Sequence, residues 1–182
     1  MIIVCGVISV MENLKVKNVI ISKQIKQSDN YKRFLEIVKK KHINVILVKI
    51  GDRVNIDAES YFDILWPEEK QISDNVLNNN SILAKFVQNN FSMLCTGDIE
   101  EIAEKAILKA NSNKLRATVL KVAHHGSETS SIEEFIDSVK PKIALIGVGE
   151  NNNFGHPNTN VISMIEAIGT KIYRTDKMRR NN

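Results

Sequence analysis

Cysteine is scarce in this 182-residue chain. Cys5 and Cys95 are too few for a disulfide scaffold, and two reduced thiols is the reading they favour. Long apolar runs are missing as well. None reaches the roughly 18–20 residues needed to cross a bilayer, so no membrane span is expected in the chain. The opening stretch Met1–Met11 is apolar but has neither a basic leader nor an obvious cleavage site, and it reads as a buried first helix. Charge of one sign is not in large excess: 25 Lys+Arg against 21 Asp+Glu leave +4, which permits an anionic partner without requiring one. With 43% hydrophobic and 25% charged residues, the composition excludes a disordered chain and a fibre. No internal repeat or long linker divides the sequence, which therefore predicts one domain over residues 1–182.

Short apolar runs alternate with amphipathic stretches. Residues 17–22 (KNVIIS) predict a buried strand and residues 44–49 (NVILVK) a second. Between them, residues 29–41 predict a helix that places Tyr31, Phe34, Leu35 and Val38 under a Lys-rich, solvated face. A β-α-β unit of this kind predicts parallel pairing. The middle is antiparallel in character, with strands at 61–66, 81–88 and 91–96, a polar loop at 68–80 and a break at Asn89-Asn90. The last third returns to alternation. Helices are expected at 99–110, 131–139 and 158–168, the last closed by Gly169, and strands at 117–123, 142–148 and 171–174.

Three polar segments each follow an apolar run: Thr96-Gly97-Asp98, His124-His125-Gly126-Ser127 and Gly155-His156-Pro157. Open α/β sheets place ligand sites beyond their strand ends, so the three can converge. Each also has an ordinary reading. Asp98 with Glu101 forms a capping-box pattern for the following helix. The adjacent histidines can be polar loop residues, His156 a turn residue, and His42, in KKKH, reads as surface. Taken together, neutral imidazoles and a carboxylate are a ligand set for zinc or manganese in hydrolytic sites. A carboxylate can bridge two such ions, and water bound to them ionises near neutral pH.

TGDIEEIAE, LKVAHHGSETS, PKIALIGVG and FGHP, in that order, resemble the C-terminal part of a metallo-β-lactamase-fold hydrolase. More narrowly, they resemble the soluble domain of ComEC-type DNA-uptake (competence) proteins, over roughly Gly6 to Asp176. The resemblance implies an α/β, metallo-β-lactamase-like αββα sandwich with a binuclear Zn2+ or Mn2+ site. It implies Asp98 as the carboxylate bridging two ions and His124 as a metal ligand. His125 becomes a neighbouring ligand or a catalytic proton-handling group, and His156 completes the site or meets a substrate phosphate. Ser127 and Thr129 are implied as hydrogen-bonding partners of phosphate oxygens, and Asn80, in the run Asn78-Asn-Asn-Ser81, as a site-wall residue near substrate.

The chain also departs from that pattern. Enzymes of the fold carry a His-x-(His/Asp)-x-Asp-His motif just before the helix that here begins near Gly6, and this chain has Met1-Ile-Ile-Val-Cys-Gly6 there. The expectation is a domain incomplete at its N-terminus and impaired in metal binding. Its intact form would act on single-stranded DNA or another phosphodiester while attached to a membrane channel. The isolated chain would be cytoplasmic and would pair with a second copy through an exposed N-terminal sheet edge. Two alternatives stand beside this reading. One is a free-standing hydrolase of small esters or phosphoesters; the other is a non-catalytic DNA-binding or assembly module using the basic helix at 29–41.

Overall fold

The computed structural model describes residues 2–24 and 28–178; the Cys5 side chain expected as a free thiol lies outside the described part. The chain divides into two compact units, Met1–Val48 and Lys49–Asn182.

The first unit contains α1 (Ile2–Asn13), β1 (Asn18–Ile21), α2 (Asp29–Lys41) and β2 (Asn44–Leu47). The two strands pair in parallel from Asn18↔Asn44 to Ile21↔Leu47, as a β-α-β unit requires. Local chemistry sets the limits of α2. Ser28 Oγ accepts the Tyr31 N–H at 3.2 Å, and His42 closes the helix in the left-handed region at φ 52°. Asp29 in the first turn and Lys39, Lys40 and Lys41 in the last complement the helix dipole. Lys41 Nζ also donates to the carbonyls of Met11 (2.7 Å) and Glu12 (2.6 Å), satisfying acceptors left open at the end of α1.

Ile8, Met11, Phe34, Ile37 and Ile43 form the buried cluster of this unit. The inner face of α2 is therefore centred on Phe34 and Ile37, with Tyr31 and Val38 at its margins. Leu35, expected inside, is 45% exposed because it lies about 100° round the helix from Phe34.

The second unit is built on a seven-stranded sheet in the order β3-β4-β5-β6-β7-β8-β9. Its strands are β3 (Arg53–Asn55), β4 (Ser60–Trp66), β5 (Leu83–Gln88), β6 (Phe91–Cys95), β7 (Val119–Lys121), β8 (Ile143–Ile146) and β9 (Lys171–Arg174). Pairing is antiparallel from β3 to β6 and parallel from β6 to β9. The edge strand β3 has only three residues, too short to show an alternation, and the sequence reading passed over it. The helices are α3 (Val76–Asn79), α4 (Glu101–Asn111), α5 (Glu133–Val139) and α6 (Thr159–Ala167). Trp66, Leu83, Leu94, Ile107, Leu120, Phe135, Ile146 and Ile165 are core residues at 1% exposure or less. Trp66 Nε1–H, buried among them, is satisfied by the Asn79 carbonyl at 2.7 Å.

This is the expected α/β, metallo-β-lactamase-like class, a large central sheet flanked by helices. Its parallel half turns the ends of β6, β7 and β8 to one side. Asp98 follows β6, His124 and His125 follow β7, and the loop carrying His156 follows β8. Among the described residues no helix is long and apolar enough to cross a membrane.

Candidate functional site

Two glycines let the motifs approach one another. Gly97 has φ +59°, and a Cβ there would lie 2.8 Å from Ser81 Cβ. Gly126 has φ +80°, and a Cβ there would lie 2.7 Å from Pro157 Cβ, so the HHGS and GHP segments touch at a point only glycine allows. The backbone joins the segments as well: His124 N–H donates to the Gly97 carbonyl (3.1 Å), and Asn158 N–H to the Gly126 carbonyl (2.8 Å).

His124 and His125 are both left-handed, at φ 45° and 58°. Each such residue costs about 1–3 kcal/mol, a strain that neighbouring structure must hold in place. The two rings serve different partners. His125 Nδ1 donates to the Gly147 carbonyl at 2.5 Å, which leaves Nε2 as a lone pair facing Asp98 Oδ1 at 3.7 Å. His124 Nδ1 is buried without a hydrogen bond, and Glu100 Oε1 faces it at 3.4 Å. His156 lies against His124 with ring centroids 5.7 Å apart and stacks on Phe154 at 5.8 Å. Burial, and then the neighbouring His124 and His125, hold the His156 pKa below the usual histidine value. All four predicted ligand residues thus lie beyond the C-terminal ends of β6, β7 and β8.

Asp98 does not cap α4. The helix begins at Glu101, with extended Glu100 as its N-cap, so the capping-box reading fails and the Asp98 carboxylate turns to His125 instead. Glu100 is the residue that sequence patterning missed. Its carboxylate accepts from Asn75 Nδ2 (2.9 Å), Asn78 Nδ2 (3.2 Å) and Thr129 Oγ1 (3.3 Å). Lys121 was missed too. It is a half-buried side chain whose pKa burial lowers, against the opposing pull of Asp98 and Cys95. Its place at the end of an apolar strand just ahead of the histidines was the available signal.

The three substrate-contact candidates are engaged within the fold. Thr129 Oγ1 donates to Glu100, so the 3.0 Å bond between the Ser127 and Thr129 hydroxyls is donated by Ser127. Neither hydroxyl hydrogen points outward, and Ser127 is buried. Asn80 is fully buried; its Oδ1 accepts from Ile72 N, and its Nδ2 donates to the Ile72 and Val76 carbonyls. Ser127 and Thr129 brace the Glu100 carboxylate beside His124, and Asn80 ties its own segment to Ile72 and Val76.

The arrangement bears on the implied metal. Asp98 and His125 present converging lone pairs at 3.7 Å, a separation suited to two donors of one ion, and His124 Nδ1 is an orphaned buried nitrogen. Yet among the described residues no three His, Cys, Asp or Glu side chains are grouped to hold a metal ion. The described donors therefore do not by themselves make a complete zinc or manganese site.

A protein with this sheet and these flanking helices has a metallo-β-lactamase-like α/β fold. A solved structure described as "Putative metal-dependent hydrolase", from Parabacteroides distasonis ATCC 8503, matches with a TM-score of 0.52 and 12% identity, over 90% of this chain and 78% of that one. No family model matches the chain. ComE operon protein 3 of Bacillus subtilis (strain 168) is 31% identical over 167 residues, covering 92% of this chain and 21% of that protein. Competence protein ComA of Neisseria gonorrhoeae is 33% identical over 115 residues, covering 63% of this chain and 16% of its own length. The chain is a homologue of ComEC-type competence proteins, and it spans about a fifth or less of the length of these relatives.

Proposed function

We propose that the chain is a hydrolase-fold domain of DNA-uptake type, of a kind that cleaves phosphodiester bonds of single-stranded DNA beside a membrane channel. On this reading the chain's own metal binding is impaired, and with it hydrolysis. The observation that carries the reading is the convergence of Asp98, His124, His125 and His156 beyond β6, β7 and β8 without a three-donor cluster among the described residues. The similarity to competence proteins supports the choice of substrate class. Within this chain Asp98 and His125 act as a pair of acceptors, and Glu100, Thr129 and Ser127 form the polar wall behind His124.

Metal analysis of the purified chain, paired with a nuclease assay on single-stranded DNA, tests the proposal. The expected result is less than one retained ion per chain and no Asp98-dependent cleavage. Two tightly bound ions, with nuclease activity abolished by Asp98→Ala, would overturn the impairment. Hydrolysis of a small phosphodiester with none of DNA would overturn the substrate class.

A further inference from the structure

Glu100 is surrounded by donors from two parts of the chain. Asn75 and Asn78 reach its carboxylate from the segment around α3, and Thr129 from the loop after the histidines. The Glu100 backbone N–H is held in turn by Asn79 Oδ1 at 3.2 Å. A neutral glutamine would set its own N–H2 against one of these donors, whereas a carboxylate accepts from all of them. The site is enclosed, with the Glu100 side chain 15% and the His124 side chain 24% exposed.

His124 Nδ1 is the remaining group facing this carboxylate, at 3.4 Å, and it has no other hydrogen-bond partner. A neutral imidazole carries its proton on one of two nitrogens. With the proton on Nε2, the Nδ1 lone pair would face a carboxylate oxygen at 3.4 Å, acceptor against acceptor. With the proton on Nδ1, the N–H faces the carboxylate at 3.4 Å, an attractive electrostatic contact that falls short of hydrogen-bond geometry, and Nε2 keeps a free lone pair.

We propose that Glu100, braced by Asn75, Asn78 and Thr129, is a positioning residue that holds His124 in its Nδ1–H tautomer and so reserves Nε2 as the donor atom available to the site. This gives the asparagine-rich segment a role in holding the carboxylate that orients the ring, which a metal-ligand or substrate-contact reading of it does not supply. The inference rests on the reading of His124 as a site residue, but not on metal loading or on turnover.

The experiment is ring-nitrogen NMR of the full chain, labelled on histidine and treated with chelator, at a pH above the ordinary histidine range; His124→Asn assigns the signal. In the wild type, His124 is expected as the Nδ1–H tautomer. Glu100→Gln is expected to move the tautomer ratio by roughly threefold or more towards Nε2–H, as removal of the negative charge facing Nδ1 requires. Asn78→Ala, a milder change, is expected to move it in the same direction by less. A wild-type Nε2–H ring, or a ratio unmoved by Glu100→Gln in folded protein, would overturn the proposal. Because the readout uses neither metal nor substrate, its failure is distinguishable from failure of the proposed hydrolase function.

Discussion

His125 Nε2 and Asp98 Oδ1 face each other at 3.7 Å with a lone pair on each, because the Gly147 carbonyl takes the Nδ1 hydrogen of the ring. Two converging acceptors are stabilised by a cation between them or by a shared proton. A divalent ion at this pair should bind weakly, since the pair lacks a third protein donor among the described residues. Zinc titration by calorimetry should show one weak site in the wild type. Asp98→Asn should lower its affinity by at least about tenfold. Unchanged affinity would place the ion elsewhere.

Gly97 and Ser81 make a second coupled pair. Gly97→Ala adds a Cβ 2.8 Å from Ser81 Cβ at a backbone angle of +59°. Thermal or urea unfolding should show a loss of about 2–3 kcal/mol, combining the clash with the left-handed penalty. Adding Ser81→Gly should recover the steric part and leave about 1 kcal/mol from the backbone. No recovery in the double variant would show that contact with Ser81 is not the cause.

Glu104 predicts a pH dependence of stability. It is fully buried on α4 and accepts the backbone N–H groups of Ser131 (2.7 Å) and Ile132 (2.9 Å) at the start of α5. Burial dominates, with Glu101 adding to it, and raises its pKa from 4.5 to about 7 against the pull of those two hydrogen bonds. Between these two values the folded state binds more protons than the unfolded one, so stability falls as pH rises. The loss between pH 4.5 and pH 8 should reach roughly 3 kcal/mol at most. Glu104→Gln should flatten this part of the profile in melts followed by circular dichroism. An unchanged slope would assign it to other groups.

Among the described residues the β1–β2 sheet has two strands, and Leu47 on β2 is 62% exposed. We propose that pairing of two copies covers this edge. Light scattering across a concentration series should give a monomer–dimer equilibrium that Leu47→Glu shifts to monomer. A monomer at every concentration would remove the proposal.

Elements with local punctuation were legible before the structure. Residues 29–41 and 171–174 form a helix and a strand over the ranges expected, since Ser28, the terminal lysines and Gly169 act on immediate neighbours. Leu35 was misplaced because a helical pattern shows that a face exists, while packing decides which residues form its centre. The edge strand β3 was not legible at all: its three residues are a strand because β4 pairs with them.

The site divides along the same line. The positions of TGD, HHGS and GHP at the ends of apolar runs singled out Asp98, His124, His125 and His156, and the family resemblance those segments carry implied the fold class. Which carboxylate serves which ring was decided by tertiary structure alone. Gly97, Gly126 and the left-handed histidines steer Asp98 to His125, while asparagines more than twenty residues away hold Glu100 beside His124. Sequence records local backbone preference and apolar periodicity. A hydrogen-bond partner supplied by a distant segment exists only once the sheet has brought that segment close.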